Sequence, residues 1–179
     1  MRSNVPYYSQ RTDVTDQAWQ SRACGVACVA MVIVYRGGVI KSLDALIEEG
    51  REIGAYREGV GWMHDGLVAL AGRHGLKLYR EEFKDETVEG EQHLEQGIEK
   101  IVTALKQGRL VLVSVARGFE DATKPHLVLL TGTEGDEGAI TGFYYHDPDA
   151  DTKEAGMNQF VPLEIFKRFW RRLVIFEAL

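Results

Sequence analysis

The sequence predicts an α+β fold, because helical patterns fill its first half and strand patterns its second half. Residues 23–35 carry no charge and are expected to form a helix that is buried on every side. Continuous β-branched and leucine runs at residues 110–115 and 126–132 predict buried strands of an antiparallel sheet. No repeat or linker divides the chain, so one domain spanning residues 1–179 is expected.

Capping residues and glycines predict where the helices begin and end. The apolar helix is expected to stop at Gly37-Gly38, and Ser42 is placed to cap a second helix. A third helix is predicted over residues 62–71 and closes at His74-Gly75. An amphipathic helix is expected to end near Gly108. These four helices account for most of the first half of the chain.

The remaining segments are predicted to be strands, loops and one short helix. Further strands are expected at residues 76–79, 139–145 and 173–177, with a short helix at 162–169. Residues 5–10 are expected to be extended, and residues 11–22 and 51–61 to form loops.

Composition excludes several classes of protein. A hydrophobic fraction of 45% and a charged fraction of 27% are typical of a globular protein, and a net charge of -6 disfavours a nucleic-acid binder. No apolar run reaches the roughly 18 residues that cross a membrane, and residues 1–6 lack the apolar core of a signal peptide. Two cysteines four positions apart in one helix are poorly placed for a disulfide, which favours free thiols in the cytoplasm. No cofactor and no metal site is indicated.

Residues 81–95 contain seven carboxylates and one lysine. A solvated loop followed by the start of a helix is the favoured interpretation of such a run. The alternative is a lid that repels acidic substrates.

Cys24 stands at the predicted start of the apolar helix. Unpaired backbone N–H groups and the helix dipole favour a negative charge at that position. A thiol there has a lowered pKa and can act as a nucleophile. Cys28 lies one turn further into the helix, where burial is expected to leave it inert.

A cysteine nucleophile needs a base, and the sequence contains five histidines. His126 is favoured because it begins an apolar strand directly after Pro125, where its ring can face the helix N-terminus. A local hydrogen bond at the strand end is the alternative role. The others are expected to be residues of the third helix (His64, His74), a solvated residue of the acidic run (His93) and a weaker candidate base (His146).

Asp147 follows the next predicted strand. If the strands that begin at His126 and end at Tyr145 pair antiparallel, His126 and Asp147 lie at the same end of the sheet. Asp147 could then orient the imidazole, as the third member of a catalytic triad does. An ordinary Asp-Pro turn is the alternative.

An oxyanion formed at Cys24 would need hydrogen-bond donors. Backbone N–H groups at the start of the helix supply one set. A side-chain amide could complete it. Gln10, Gln17 and Gln20 all precede Cys24, and their spacing does not show which of them has this role.

Gly61 and Trp62 are predicted to contribute a flexible loop and an aromatic wall to a substrate-binding cleft.

These blocks resemble the bacteriocin-processing, double-glycine-leader cysteine peptidases, and most closely their stand-alone peptidase-like branch. The resemblance lies in residues 5–10, Trp19, residues 24–27, residues 126–132 and residues 146–148, which occur in the family's order. It implies a papain-like fold, with a central helix headed by the catalytic cysteine and packed on an antiparallel sheet that carries the histidine and the aspartate.

Carried over by motif, the resemblance implies that Cys24 is the nucleophile, His126 the base, Asp147 the orienting group and Gln10 the oxyanion donor. Two positions depart from the family pattern. Gln10 lies fourteen residues before Cys24, whereas transporter-linked members have the glutamine only a few residues before the cysteine. Val26 stands where many relatives have proline.

The function expected is that of a thiol hydrolase, most simply a cysteine peptidase that cleaves a peptide or amide bond of a peptide or protein substrate. Two alternatives stay open: a peptide-binding module without catalysis, and an acyltransferase that uses the same triad. The sequence predicts no nucleic-acid or membrane partner and indicates neither the substrate nor the oligomeric state.

Overall fold

The computed structural model describes residues 2–84, 90–136 and 139–178. In this part of the chain there are six α-helices: α1 (Cys24–Tyr35), α2 (Leu43–Glu52), α3 (His64–Arg73), α4 (Gly90–Lys106), α5 (Lys153–Gly156) and α6 (Leu163–Phe169). The same residues form eight strands: β1 (Tyr56–Arg57), β2 (Gly61–Trp62), β3 (Leu78–Glu82), β4 (Val111–Ala116), β5 (Pro125–Asp136), β6 (Ala139–His146), β7 (Gln159–Pro162) and β8 (Trp170–Glu177).

Six of the strands form one sheet in the order β3-β8-β4-β5-β6-β7. All five neighbouring pairs are antiparallel. β1 and β2 pair separately as a two-residue ladder. The α+β class and the antiparallel sheet predicted from the sequence are therefore confirmed.

The sheet is covered by helices on both faces, and alternation along β4 separates the two cores. Leu112 belongs to a core with residues of α1, α2 and α3. Val111 and Val113 point the other way, into a core with residues of α4 and α6. This two-sided burial explains why β4 is continuously apolar, as a strand covered on both faces should be.

Helix α1 is the centre of the first core. Its residues from Gly25 to Ile33 are all buried, as the uncharged sequence predicts. The helix ends in a Schellman motif, in which Gly37 adopts φ +82° and the N–H of Gly38 donates to Ile33 O at 2.9 Å. The predicted stop at Gly37-Gly38 is confirmed, as is the Ser42 cap of α2, whose Oγ accepts from Ala45 N at 3.0 Å.

The predicted third helix is too long at its start. Trp62 does not begin α3 but pairs with Tyr56 in the β1–β2 ladder. The other residues of that ladder, Tyr56, Arg57 and Gly61, lie in the segment that the sequence predicted as a loop. The helix begins at His64, because Met63 has an extended backbone (φ -71°, ψ 133°) and acts as its N-cap.

The sheet also reaches into the first half of the chain. β3 extends to Glu82 and pairs with β8, whose first residue is Trp170, three residues before the predicted start. The acidic run is therefore not one loop. Glu81 and Glu82 belong to β3, residues 90–95 belong to α4, and residues 85–89 lie outside the described part of the chain.

None of the helices in the described part of the chain is both long and apolar enough to span a bilayer.

Candidate active site

Cys24 is the first residue of α1 and is partly exposed to solvent. The residue before it, Ala23, has no side-chain oxygen that could cap the helix. The N–H of Ala27 donates to Ala23 O and forms the first hydrogen bond of the helix. The thiol is thus placed where helix N–H groups and the helix dipole favour an anion.

His126 and Asp147 meet at one end of the sheet because β5 and β6 pair antiparallel, with Leu129 opposite His146. His126 is the second residue of β5, and Asp147 directly follows β6. His126 Nε2 lies 2.7 Å from Asp147 Oδ1. This bond engages Nε2 and leaves Nδ1 as the ring nitrogen available to another partner.

Cys24 interacts with that histidine. Burial alone would raise the pKa of the Cys24 thiol, but a hydrogen bond from His126, its positive charge, and backbone hydrogen bonds from Leu127 and Gly25 lower the pKa below its ordinary value. The surroundings of Cys24 therefore favour the thiolate.

The histidine shifts in the complementary direction. Burial of His126 would lower its pKa, but its hydrogen bonds to Asp147 and Cys24 outweigh burial and raise the pKa to about 10. Burial would likewise raise the pKa of Asp147, yet the hydrogen bond and charge of His126 lower it. The three shifts therefore all act in the direction of a thiolate, an imidazolium and a carboxylate.

Residues 7–11 run across the loop formed by residues 147–150. Tyr7 Oη donates to Asp147 O at 2.8 Å, and Ser9 Oγ donates to Ala150 O at 2.7 Å. The N–H of Gln10 donates to Pro148 O at 2.8 Å. These contacts fix the main chain at Asp147 and in the residues that follow it.

Of the three candidate glutamines, Gln10 is the one with hydrogen bonds to this loop. It is 2% exposed, and its Nε2 donates to Asp149 Oδ1 at 2.7 Å. Gln17 is exposed, and Gln20 Nε2 donates to Val14 O within its own loop. The geometry therefore favours Gln10, although its oxyanion role stays a prediction.

Trp62, predicted as a cleft wall, contacts the protein interior. Its Nε1 donates to Arg22 O at 2.8 Å, and its ring packs so closely on Gly50 that a Cβ there would lie 2.6 Å from Trp62 Cζ3. Gly61 beside it adopts φ +103°, a conformation that favours glycine. A substrate-binding role for Gly61 and Trp62 stays a prediction.

The other cysteine and the other candidate base are fully buried. Cys28 Sγ lies 3.6 Å from Leu127 O, and burial raises the pKa of this thiol well above its ordinary value. His146 Nε2 lies 3.1 Å from Val5 O, while Nδ1 accepts from Asn158 N at 3.1 Å. Burial lowers the pKa of His146, so it is a neutral residue that holds three segments together.

Sequence reasoning missed Tyr7 and Asp149. Tyr7 holds the carbonyl of Asp147, and burial raises the pKa of Tyr7 to about 12, so the hydroxyl stays a donor. Asp149 binds Gln10 and also Arg11 Nε at 2.6 Å. The repeated carboxylate in Asp147-Pro148-Asp149 was the available signal, but one sequence does not show which carboxylate faces inward.

A partly exposed cysteine at the head of a buried helix, facing a histidine–aspartate pair on an antiparallel sheet, is the arrangement of papain-like cysteine peptidases. The family model described as the Peptidase C39-like family matches residues 2–174, and the chain belongs to that family. The resemblance predicted from the sequence is thereby confirmed. No curated protein matches the chain significantly.

The solved structures that share the fold at low sequence identity include the following three. A protein from Bacillus anthracis described as a C39-like peptidase is 19% identical, with a TM-score of 0.66 over 98% of this chain and 95% of that one. A double-glycine-motif protease of an AMS/PCAT transporter, solved with its leader peptide, is 19% identical, with a TM-score of 0.61 over 99% and 94%. The peptidase domain of Streptococcus mutans ComA is 17% identical, with a TM-score of 0.51 over 89% and 93%.

Proposed function

We propose that this protein is a cysteine peptidase that hydrolyses a peptide or amide bond through a thioester on Cys24. The observation that carries the proposal is the pairing of His126 with both Cys24 and Asp147, which lowers the pKa of the thiol. Membership of a peptidase family supports the same class of activity.

In this mechanism the Cys24 thiolate attacks the carbonyl carbon, and the carbonyl oxygen takes the negative charge. Backbone N–H groups at the start of α1 and the amide of Gln10 donate to that oxygen. The C–N bond then breaks, and the His126 imidazolium protonates the leaving amine. Water, deprotonated by His126, attacks the thioester and releases the acid and free Cys24.

Asp147 keeps the imidazole in the orientation that this sequence of proton transfers requires. Its bond engages Nε2, so the proton exchanged with sulfur or with the leaving amine is carried on Nδ1. The main-chain contacts of Tyr7 and Gln10 hold Asp147 in place during both steps.

The substrate we propose is a peptide. One protein of the same fold was solved in complex with the leader peptide, which supports a peptide as the class of substrate. The proposal for this chain extends to peptide and amide bonds as a class and does not specify a cleavage sequence.

The decisive experiment maps thiol reactivity. Iodoacetamide is applied between pH 4 and pH 9, and mass spectrometry locates the adduct. Labelling is expected at Cys24 with an apparent pKa clearly below the reference value of about 8.5. His126→Ala is expected to abolish both the preference for Cys24 and the lowered apparent pKa. Slow and equal labelling of Cys24 and Cys28 would contradict the proposal.

A second experiment tests turnover. Peptide and cell-wall fragment libraries are incubated with the wild type and with Cys24→Ala, and new amino termini are counted by mass spectrometry. Cleavage that depends on Cys24 is expected. Products that appear equally with Cys24→Ala would show that the thiol is not the nucleophile.

A further inference from the structure

Asp149 is a nearly buried carboxylate outside the proposed triad, with its side chain 4% exposed. Oδ1 accepts from Gln10 Nε2 at 2.7 Å and from Arg11 Nε at 2.6 Å. Oδ2 is paired with Arg117 Nε. A buried ion with this many charge-assisted partners is rigidly placed.

The orientation of the Gln10 amide depends on Asp149. A carboxylate accepts hydrogen bonds and cannot donate, so Nε2 of the amide, rather than Oε1, must face it. Among the described residues, Gln10 Oε1 is buried and has no hydrogen-bond partner. No contact at the other end of the amide therefore competes with Asp149 in fixing its direction.

The two arginines explain how a carboxylate can be placed beside an oxyanion donor. An uncompensated negative charge there would oppose the charge that develops on a substrate carbonyl oxygen. Arg11 and Arg117 pair with both oxygens of Asp149, and their guanidinium side chains are 29% and 50% exposed. The carboxylate is thus neutralised locally and can orient Gln10 without that repulsion.

We propose that Asp149 is a positioning residue that acts through Gln10. It holds one N–H of the amide so that the second N–H is directed to the oxyanion formed at Cys24. This inference rests on the proposed function, because it assumes that Cys24 forms a tetrahedral intermediate and that Gln10 donates to it.

Two electrophiles that react with the same thiolate separate an effect on the oxyanion from a change in the thiol. With 4-nitrophenyl acetate, sulfur bonds to the carbonyl carbon, the carbonyl oxygen becomes an oxyanion, and 4-nitrophenolate leaves as the C–S thioester remains. With iodoacetamide, sulfur displaces iodide at a saturated carbon and no oxyanion forms. The ratio of the acylation rate to the alkylation rate at Cys24 therefore reports on oxyanion stabilisation.

Gln10→Ala is expected to lower that ratio on the order of 100-fold, the typical cost of removing one oxyanion-hole donor. Asp149→Ala is expected to lower it by about tenfold or more, because a misdirected donor loses most of its effect. In the double variant the ratio should equal that of Gln10→Ala alone, since residues that act as a unit are not additive. Alkylation rates should change less than about twofold, because the thiolate is untouched.

Asp151→Asn is the matched control, because Asp151 is an exposed carboxylate in the same loop. It should leave both rates unchanged. Both guanidinium groups released by Asp149→Ala can reach solvent, so a folded protein is expected. Should Asp149→Ala not fold, Asp149→Ser, which leaves a hydroxyl for one arginine, provides the same measurement.

The measurements distinguish a failure of the proposed function from a failure of the inference about Asp149. Acylation of Cys24→Ala at the wild-type rate would overturn the proposed function itself. An unchanged ratio in Gln10→Ala, with Cys24 still reactive, would remove Gln10 from the oxyanion site. If Gln10→Ala lowers the ratio and Asp149→Ala does not, or if the double variant shows additive losses, the inference about Asp149 alone is overturned.

Discussion

His126 hydrogen-bonds to both Asp147 and Cys24, and both partners shift its pKa in the same direction. Nε2 is bonded to Asp147 Oδ1 at 2.7 Å, and Cys24 hydrogen-bonds to the same ring. Both partners favour the imidazolium, so the pKa of His126 is raised to about 10 despite burial. The charged ring stabilises the folded chain, because the pKa of His126 differs between the folded and unfolded chains.

Asp147→Asn tests this linkage through the pH dependence of stability. A raised histidine pKa stabilises the fold fully below the unfolded value of about 6.5, and this contribution is lost as pH rises through about 10. The lowered Asp147 pKa adds stability above the unfolded value of about 3.9 that is lost as pH falls below it. The wild type should therefore exceed Asp147→Asn most between about pH 4 and 6.5.

Urea unfolding at pH 5, 8 and 10 measures this difference. The free-energy gap between wild type and Asp147→Asn should shrink steadily from pH 5 to pH 10. Asp151→Asn, in the same loop but exposed, should show no such trend. A gap that stays constant with pH would mean that His126 is neutral in the folded protein.

At the residue scale, the sequence could indicate Cys24, His126 and Asp147 because each stands at the end of a recognisable element. It could not choose among three glutamines, since the choice depends on contacts between segments about 140 positions apart. Gln10 reaches Asp149 across that separation, while Gln20 is satisfied by Val14 nearby. No local pattern distinguishes the two.

At the scale of elements, local signals predicted well and non-local pairing did not. The end of α1 is encoded in adjacent residues, Gly37 and Gly38, and was predicted correctly. The β1–β2 ladder has two residues in each strand, too few for any periodic pattern. β3 was predicted short because Arg80 and Glu82 are polar; they are strand residues through pairing with β8.

Two helical glycines offer a test of how the elements pack. Gly50 in α2 faces Trp62, where an added Cβ would lie 2.6 Å from the ring, whereas Gly72 in α3 has no atom within 4 Å of that position. Both substitutions to alanine gain helix propensity of about 1 kcal/mol. Overpacking at Gly50 costs about 1–3 kcal/mol and should outweigh that gain.

We therefore expect Gly72→Ala to raise the free energy of unfolding by about 0.5–1 kcal/mol and Gly50→Ala to lower it. Urea denaturation of the two variants beside the wild type measures both changes. Tryptophan fluorescence should change in Gly50→Ala alone, because the Trp62 ring must move. Equal stabilisation by both alanines would show that Trp62 does not pack on α2.

At the scale of the whole molecule, α1 connects two distant features. Cys24 is at its N-terminus, and Arg36 follows its C-terminus, about 18 Å away along a helix of twelve residues. Arg36 binds Glu177 of β8 through Nε–Oε1 at 2.7 Å and Nη2–Oε2 at 2.8 Å. The same carboxylate accepts from Leu110 N, directly before β4, so it ties the end of the helix to β8 and to the start of β4.

Glu177→Gln should weaken this anchor without changing the site. Glu177 is 6% exposed, so losing one charged acceptor of a bidentate pair is expected to lower the free energy of unfolding by about 2–3 kcal/mol. Glu164→Gln is the matched control: that side chain is 84% exposed and lies 3.8 Å from Lys167, so the expected change is below about 0.5 kcal/mol.

The pH profile of Cys24 alkylation should be identical in both variants and the wild type, because the groups that lower the Cys24 pKa are all at the opposite end of α1. A shifted profile in Glu177→Gln would show that the anchor sets the position of the helix N-terminus, and that the reactivity of Cys24 depends on both ends of α1.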